Sequence, residues 1–536
     1  MATEARALDR FDALLAGGAA VVATLLRAFA GRGFGVDVAV GSDAPLWGLS
    51  ALDWQAGNPL VVPPLFPALA GLVGWLGPGV ADGGRLVSVV AGGTAAGVVY
   101  LGVRAAGSSR LAGALGAALV AVHPDLVAES LIFQPEATTA AVLGAVAATA
   151  VVHALRRSLL SFAAYTVAVA LAAGAREHGL ALLLPALLFS ILVPPRARLG
   201  ALWAPVVLAL CVGGTPILAR SSPWVLPSRW PWADKAAVVA RDLDLLDRGL
   251  QPAYLNRVVD SYPAGDLVAS ARVTDEYPCA ILLPDDERPV ALLKLHLRRA
   301  WALGHDVHAW LLAGLVGGIV LAARRRQWRV AAALPSLLVV VVPSFLVWSQ
   351  RRHAVVLLPA AFLGVGLGID VIAALLVPER ARRWVMGAVA GVLVVFVVVT
   401  GREPLDNALS ALGKRAEEHA ALADLGTALR AATPRGWLVE GIGPDRMVHE
   451  GGVVLLYAER APVATHGGSP SGQGGTIYLL DEDRPGGALT EVAAGAGYRA
   501  WIVAGSEAPR RRAKFLVPPA NSGEVDARTP RCGAVN

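Results

Sequence analysis

The chain has 536 residues, enough for three or four ordinary soluble domains, yet only 16% are charged, 55% are hydrophobic and the mean hydropathy is +0.56. Soluble proteins carry about 25% charge, so composition excludes an ordinary aqueous globule for most of the chain. Three cysteines, Cys211, Cys279 and Cys532, exclude a disulfide-stapled scaffold and a structural zinc site, and the net charge of +6 invites a nucleic-acid partner only until the arginines are placed.

A helix that crosses a bilayer needs about 20 mostly apolar residues, and about 17 at the least. In chain order the sequence offers Ala13 to Ala30, Leu86 to Val103, Leu111 to Leu126, Leu131 to Leu155, Leu159 to Ala175, Leu180 to Val193, Ala201 to Leu218, His308 to Ala323, Val330 to Trp348, Ala354 to Val377 and Val385 to Thr400, eleven candidates in all. A twelfth apolar stretch, Pro64 to Gly77, has 14 residues and two prolines and reads as a helix in the interface, with Trp47, Trp54 and Trp75 as interfacial anchors. Cytoplasmic loops collect Lys and Arg. With eleven spans and a cytoplasmic N-terminus, the inner loops hold thirteen arginines, among them Arg104, Arg110, Arg156, Arg157, Arg324 and Arg380, against one acid, Glu379. Counting Pro64 to Gly77 as a span would put all of them outside. The basic balance is thus a topological signal, and no nucleic acid is expected as a partner.

The outer segments are then residues 31–63, a short loop near His123 to Ser130, Arg176 to His178, the long loop 220–304, the turn Ser349 to His353, and everything after the last span. They hold ionisable residues that topology does not explain: Asp37, Asp43 and Asp53; Asp125, Glu129 and, just beyond, Glu136; Arg176, Glu177 and His178; Arg351, Arg352 and His353. Arg grips phosphate in a planar, bidentate way. Arginines and carboxylates at one membrane depth make a site able to hold an anionic lipid headgroup beside a base. The alternative for each is a charge solvated at a helix end; Glu136, after Pro135, also suits a helix N-terminus.

Loop 220–304 is rich in aromatics and acids and too long for a plain connection; it reads as a lid or acceptor-binding insertion, or as an ordered cap. Gly401 to Asn536 holds 31 of the charged residues in 136 positions, 23% against 14% in the first 400. Its pattern is soluble α/β: a helix over Glu417 to Ala432, strands at Trp437 to Ile442, Val453 to Ala458, Thr476 to Asp481 and Ala500 to Gly505, and a helix around Ala488 to Ala496. The glycine run Gly467 to Gly475 lacks the strand-GxGxxG-helix context of a nucleotide site. The fold class expected is mainly α: a polytopic bundle of about eleven transmembrane spans over residues 1–400, then a C-terminal extracytoplasmic α/β domain over 401–536. The Ala, Gly and Arg bias suggests a bacterial plasma membrane.

Several motifs, in order, resemble the GT-C superfamily of polytopic glycosyltransferases that use lipid-linked sugars, in particular its dolichyl-phosphate-mannose-mannosyltransferase-like and aminoarabinose-transferase-like branches. Ser42 to Leu69 (SDAPLWGLSALDWQAGNPLVVPPLFPAL) is similar to the family's first outer loop, and Gly84 to Arg104 to its second span. His123 to Gly144, with Gln134, Pro135 and Glu136, resembles the connection between its third and fourth spans; Ala175 to Leu188 and Gln350 to Gly368 resemble the starts of two later spans. The chain departs from the pattern at Ala44, where a second acid often follows the first, and at Val62, where His or Lys commonly precedes the Pro-Pro pair.

The resemblance implies an inverting membrane glycosyltransferase with a polyprenyl-phosphate-linked sugar donor and membrane lipids as partners. Asp43 would be the catalytic base, with Asp37 its rival; only Asp43 stands at the family's distance from Pro63 and Pro64. Arg176, Arg351, Arg352 and His353 would bind the donor phosphate, with His178 and Glu129 as weaker candidates. Glu136 would be a second acid or a metal ligand. No cofactor is required by the sequence, although a divalent metal, Mg or Mn, suits hard oxygen ligands. Two alternatives stay open: a transporter or flippase for a lipid-linked or anionic solute, and a non-catalytic protein of the same fold. Charges cluster at span ends, with Arg27 and Asp370 as partial exceptions, and no repeat of the first half is seen in the second, both of which count against a transporter.

Overall fold

In the computed structural model of the chain, the described residues are 8–40, 44–56, 60, 62–77, 79–176, 182–197, 204–210, 309–323, 355–433, 438–441, 453–459, 476–480, 489–495 and 498–503. The helices are α1 (Arg10–Gly33), α2 (Ala44–Ala56), α3 (Leu65–Trp75), α4 (Val80–Ala105), α5 (Arg110–Val122), α6 (Pro124–Leu131), α7 (Glu136–Arg156), α8 (Leu159–Ala175), α9 (Leu183–Leu192), α10 (Ala309–Ala323), α11 (Leu358–Leu376) and α12 (Glu379–Ala432). Residues 204–210 and 453–458 are also helical. Local chemistry sets many of the ends. Asp9 caps α1 in a reciprocal box with Asp12, Ser109 caps α5, and Ser158 caps α8 in a box with Ser161. Gly79 at φ 88° admits the turn into α4, and Arg157 at φ 53° closes α7.

Among the described residues five helices are long and apolar enough to cross a membrane, α1, α4, α7, α11 and α12, or six when the bent pair α5–α6 is one span. α8, α9 and α10 are apolar but shorter, and the expected spans Ala201 to Leu218 and Val330 to Trp348 fall partly or wholly outside the described residues. Two expectations shift. Leu111 to Leu126 is not one straight span: it breaks at His123 and turns by 54° into α6, because Pro124 has no N–H to continue the helix and starts a new one at its first position. The next helix begins at Glu136, five residues later than Leu131. α3, with 11 residues, is roughly 16 Å long, about half the hydrocarbon thickness.

Small residues let the backbones close. On α4, Gly93 faces Thr24 and Ala20 of α1, and a Cβ on Gly97 would lie 2.8 Å from the Ala16 carbonyl. Gly314 and Gly317 of α10 interlock with Gly364 and Gly368 of α11 so closely that no Cβ fits at Gly314 or Gly364. The core formed is mostly alanine, valine and leucine around α4, α5, α7, α8 and α11. Broad apolar faces stay uncovered, as on α12, where Trp384 is 82% and Val399 67% exposed. Such faces suit lipid.

One end of the bundle is tied by ions. The Asp12 carboxylate accepts from Arg104 Nε at 2.9 Å and Nη2 at 3.1 Å, from Arg110 Nε at 3.1 Å and from Tyr100 Oη at 3.2 Å. Arg104 and Arg110 thus hold α1, α4 and α5 together as well as contributing to charge bias. Asp370 of α11 accepts from the Ser109 backbone N–H at 3.2 Å near the same end, which accounts for one of the two exceptions to charge placement. His153 joins α7 to Ser161 Oγ at 3.0 Å and to the Val193 carbonyl at 2.9 Å.

α12 runs without a break for 54 residues, roughly 80 Å, so the expected boundary at residue 400 falls inside one helix. Beyond it lie four strands, β1 (Leu438–Gly441), β2 (Thr476–Leu480), β3 (Leu489–Gly495) and β4 (Tyr498–Val503), in the order β1-β2-β4-β3, with β1 parallel to β2 and the other pairs antiparallel. Two local expectations are overturned. Residues 453–458 form a helix where a strand is expected; Val453, Val454, Leu455, Leu456 and Ala458 are all buried, and a run apolar on every side carries no period by which to tell the two. The helix expected around Ala488 to Ala496 is β3, paired with β4 from Leu489↔Val503 to Gly495↔Tyr498; tertiary pairing overrides the helical preference of its alanines.

Candidate functional site

The site lies at the opposite end of the bundle from Asp12. α7 starts there with Glu136, and α8 ends there just before Arg176. Arg176 Nη1 donates to Glu136 Oε1, and both residues are buried. Two of the residues picked out from the sequence therefore meet, across 40 positions, as an ion pair. Glu136 also heads the first turn of α7, where the helix dipole favours a negative charge.

The loop after α1 comes to the same place. The Phe133 N–H donates to the Val40 carbonyl at 2.8 Å, three residues before Glu136. Phe133 meets Phe66 edge to face at 5.4 Å, and Phe66 meets Trp47 at 5.9 Å. Ala39, Ala44, Trp47, Phe66, Phe133 and Leu456 share one buried apolar cluster. Asp43 lies outside the described residues, but Val40 before it and Ala44 after it are both fixed against the segment that leads into Glu136. Trp47 is 5% exposed and so is a core residue rather than an interfacial anchor; Trp54 and Trp75 contact each other at 5.3 Å, and Trp75 is exposed.

Further groups hold the loop. Arg85 of α4 donates from Nη2 to the Val36 carbonyl at 2.8 Å and from Nη1 to the Asp37 carbonyl. Asp37 is itself exposed, its backbone rather than its carboxylate being engaged by Arg85. The Ala39 N–H donates to Tyr457 Oη at 2.7 Å. Burial pushes the Tyr457 phenol up to about 12, with the Ala39 N–H acting in the opposite direction. Leu409 and Ala416 of α12 share a cluster with Val36, Val40 and Leu131.

The remaining sequence candidates divide. Glu129 is half-buried on α6. His178, Arg351, Arg352 and His353 lie outside the described residues; α11, which follows them, begins at the same end as α7, with Pro359 against Gly144. Arg27, the other charge inside a span, is fully buried and takes no part in this pair. It donates to Ser130 Oγ at 3.0 Å and to the carbonyls of Ala23, Ala121 and Val120 at 2.9, 3.3 and 3.0 Å. Sequence reasoning missed Phe133, Arg85 and Tyr457. The aromatic before Gln134-Pro135-Glu136 is a readable signal for the first; the others contact the loop from 48 and 418 positions away, with no local signature.

No protein-family model and no curated protein matches the chain. Solved structures do. A crystal structure of ArnT from Cupriavidus metallidurans bound to undecaprenyl phosphate superposes with a TM-score of 0.50 at 14% identity, over 92% of this chain and 98% of that one. The same protein in the apo state gives 0.48 at 14% identity, over 91% and 97%. The S. cerevisiae protein O-mannosyltransferase Pmt1-Pmt2 complex bound to its sugar donor gives 0.31 at 18% identity, over 41% and 34%. The first of these establishes the fold: the chain is folded like ArnT, a GT-C glycosyltransferase, as the motifs around Asp43, Glu136 and Arg176 anticipate.

Proposed function

We propose that the chain is an integral-membrane glycosyltransferase that moves a sugar from a polyprenyl-phosphate donor to an extracytoplasmic acceptor, a glycan, lipid or protein. The observation that carries this reading is the backbone bond from Phe133 to Val40, which brings the loop leading to Asp43 beside the Glu136–Arg176 pair. The ArnT fold, solved in that protein with undecaprenyl phosphate, supports the donor class. In this reading residues 1–400 form the transferase unit of a bacterial plasma-membrane protein, with a cytoplasmic N-terminus and residues 401–536 outside.

The donor already carries a good leaving group, so the protein needs chiefly to orient an acceptor hydroxyl and remove its proton. Asp43 takes that proton, the acceptor oxygen bonds to the anomeric carbon, and the carbon–oxygen bond to phosphate breaks, its electron pair leaving with polyprenyl phosphate. Attack from the face opposite the phosphate inverts the anomeric centre. Arg351, Arg352 and His353 meet the charge that develops on the leaving phosphate, with Arg176 held ready by Glu136. Mg or Mn would suit loop carboxylates, but the charge of Glu136 is matched by Arg176 and the described residues hold no group of three metal-ligating side chains. No step is routed through a metal. The transporter alternative loses support from α5–α6: the carbonyls at the break are engaged by Arg27, whereas a transport site would turn them toward a solute.

The test is transfer in vitro from a panel of polyprenyl-phosphate sugars by the full chain in detergent or nanodiscs, with Asp43→Asn alongside. Turnover that falls at least about 100-fold in the variant, the usual scale for losing a general base, supports the proposal. Equal turnover removes Asp43 as base, and no binding of any such donor removes the donor class.

A further inference from the structure

The residues that fasten the C-terminal part of the chain to the first loop are concentrated in one short element. Residues 453–459 lie between β1 and β2 in sequence, away from both strands in their contacts. Leu456 is fully buried in the cluster that holds Ala44, Trp47 and Phe66, and it fills the space over Gly48 of α2 so closely that a Cβ there would collide with it. Tyr457 Oη accepts the Ala39 N–H at 2.7 Å. Glu459 Oε1 accepts the Val80 N–H at 3.1 Å at the start of α4 and meets Arg430 Nη1 of α12 at 3.2 Å. Gly79 makes room for that pair, since a Cβ on it would lie 2.8 Å from both Arg430 Nη1 and Glu459 Oε1.

The loop is therefore gripped at adjacent residues from opposite sides. Ala39 gives its N–H to Tyr457, and Val40 gives its carbonyl to Phe133. Phe133 ties the loop to the Glu136–Arg176 side, while Tyr457 ties it to the part of the chain after α12. A half-buried backbone N–H is costly to leave unpaired, so the bond discriminates between one seating of the loop and others. A carboxylate base acts only when it lies within about half an ångström of its working position. The last loop residue anchored before Asp43 is three positions away, too short a tether to absorb a shift at Ala39 and Val40.

We propose that Tyr457 is a positioning residue for the first outer loop, through which the C-terminal part of the chain sets the geometry of the transfer site. The inference deepens the transferase reading and rests on it for its catalytic consequence, but not for its structural one. It makes the C-terminal part a component of the site rather than an appendage.

The experiment compares wild type with Tyr457→Phe, which keeps the ring and removes the acceptor for Ala39. Two measurements are made on the full chain: hydrogen exchange of the peptide covering residues 34–40, and transfer kinetics with the active polyprenyl-phosphate sugar. The expected result is about tenfold faster exchange in that peptide and about tenfold lower kcat, with KM for the donor within twofold and the melting temperature nearly unchanged. Unchanged exchange overturns the proposal. So does a lower melting temperature with kcat per folded molecule unaltered, the signature of a merely structural tyrosine. Leu456→Ala serves as a second variant, loosening the same element without touching the Ala39 bond; it should raise exchange in the same peptide, and a rise confined to residues 453–459 overturns the coupling. Should wild type turn over no donor at all, the transferase reading fails, while the exchange data still decide whether Tyr457 seats the loop.

Discussion

Arg27 Nη2 donates to the carbonyl of Val120 at 3.0 Å, the acceptor that an unbroken helix would have paired with the N–H of residue 124, which is a proline. The arginine thus supplies from α1 the donor that Pro124 cannot supply from its own chain, and its second amino group reaches the neighbouring Ala121 carbonyl. A charge inside a span, which from sequence hints at a transport pathway, has a structural duty here.

Removing Arg27 should consequently destabilise the fold rather than alter specificity. Arg27→Met is expected to cost about 2–4 kcal/mol, the sum of a few buried acceptors left without donors. Arg27→Lys should restore part of the loss, because an ammonium donates but lacks the planar fork. Thermal unfolding of the purified protein checks this, and a Met variant as stable as wild type would rule it out.

Glu136 and Arg176 form a buried pair, so breaking it from either side should be severe. Glu136→Gln and Arg176→Met are each expected to cost about 3–5 kcal/mol, because a buried charge loses its partner. The double variant should cost less than the two singles added together. A double-mutant cycle on unfolding measures the coupling, and additive losses would show that the two side chains do not depend on each other.

The interlocked glycines of α10 and α11 make a steric prediction. Gly364→Ala places a Cβ against the Gly314 backbone and should cost about 1–3 kcal/mol by forcing the helices apart. Gly387→Ala in α12, where a Cβ would meet nothing, should instead stabilise by about 0.5–1 kcal/mol through helix propensity. Melting temperatures that move in the same direction for both would contradict the packing described.

The Tyr457 phenol is neutral when docked, and burial raises it from 10.0 to about 12. Its raised value in the folded state means that the stability it contributes is whole below about pH 10 and is lost as pH rises toward about 12, where the unfolded phenol ionises first. The stability advantage of wild type over Tyr457→Phe should shrink between pH 10 and 11.5. Denaturation followed across that range is the measurement, and an advantage independent of pH would refute it.

Much of the helical framework is legible in the sequence because long apolar runs have few alternatives. Leu159 to Ala175 is a helix over those very residues, and the break before Pro124 follows from proline chemistry. The site is half legible. Glu136 and Arg176 stand out as charges at helix ends, and they do meet. What holds the loop next to them is invisible, because Tyr457 and Ala39 are 418 positions apart and backbone donors carry no sequence signal. The errors share a cause: residues 453–458 and β3 are short and apolar or alanine-rich, so their state is set by what they pack against.

The unbroken course of α12 has a geometric consequence. Leu409, Gly413 and Ala416 share one side of it, against Phe34, Val36 and Val40, while residues some two dozen positions earlier lie in the apolar stretch. A rod transmits phase: each residue inserted between the two would rotate everything downstream by about 100° and advance it by about 1.5 Å. A single added residue near Thr400 would turn the loop-facing side outward, whereas seven added residues, close to two whole turns, would restore the azimuth and leave an axial offset of about 10 Å. The spacing along this helix is thus constrained in angle and in length together.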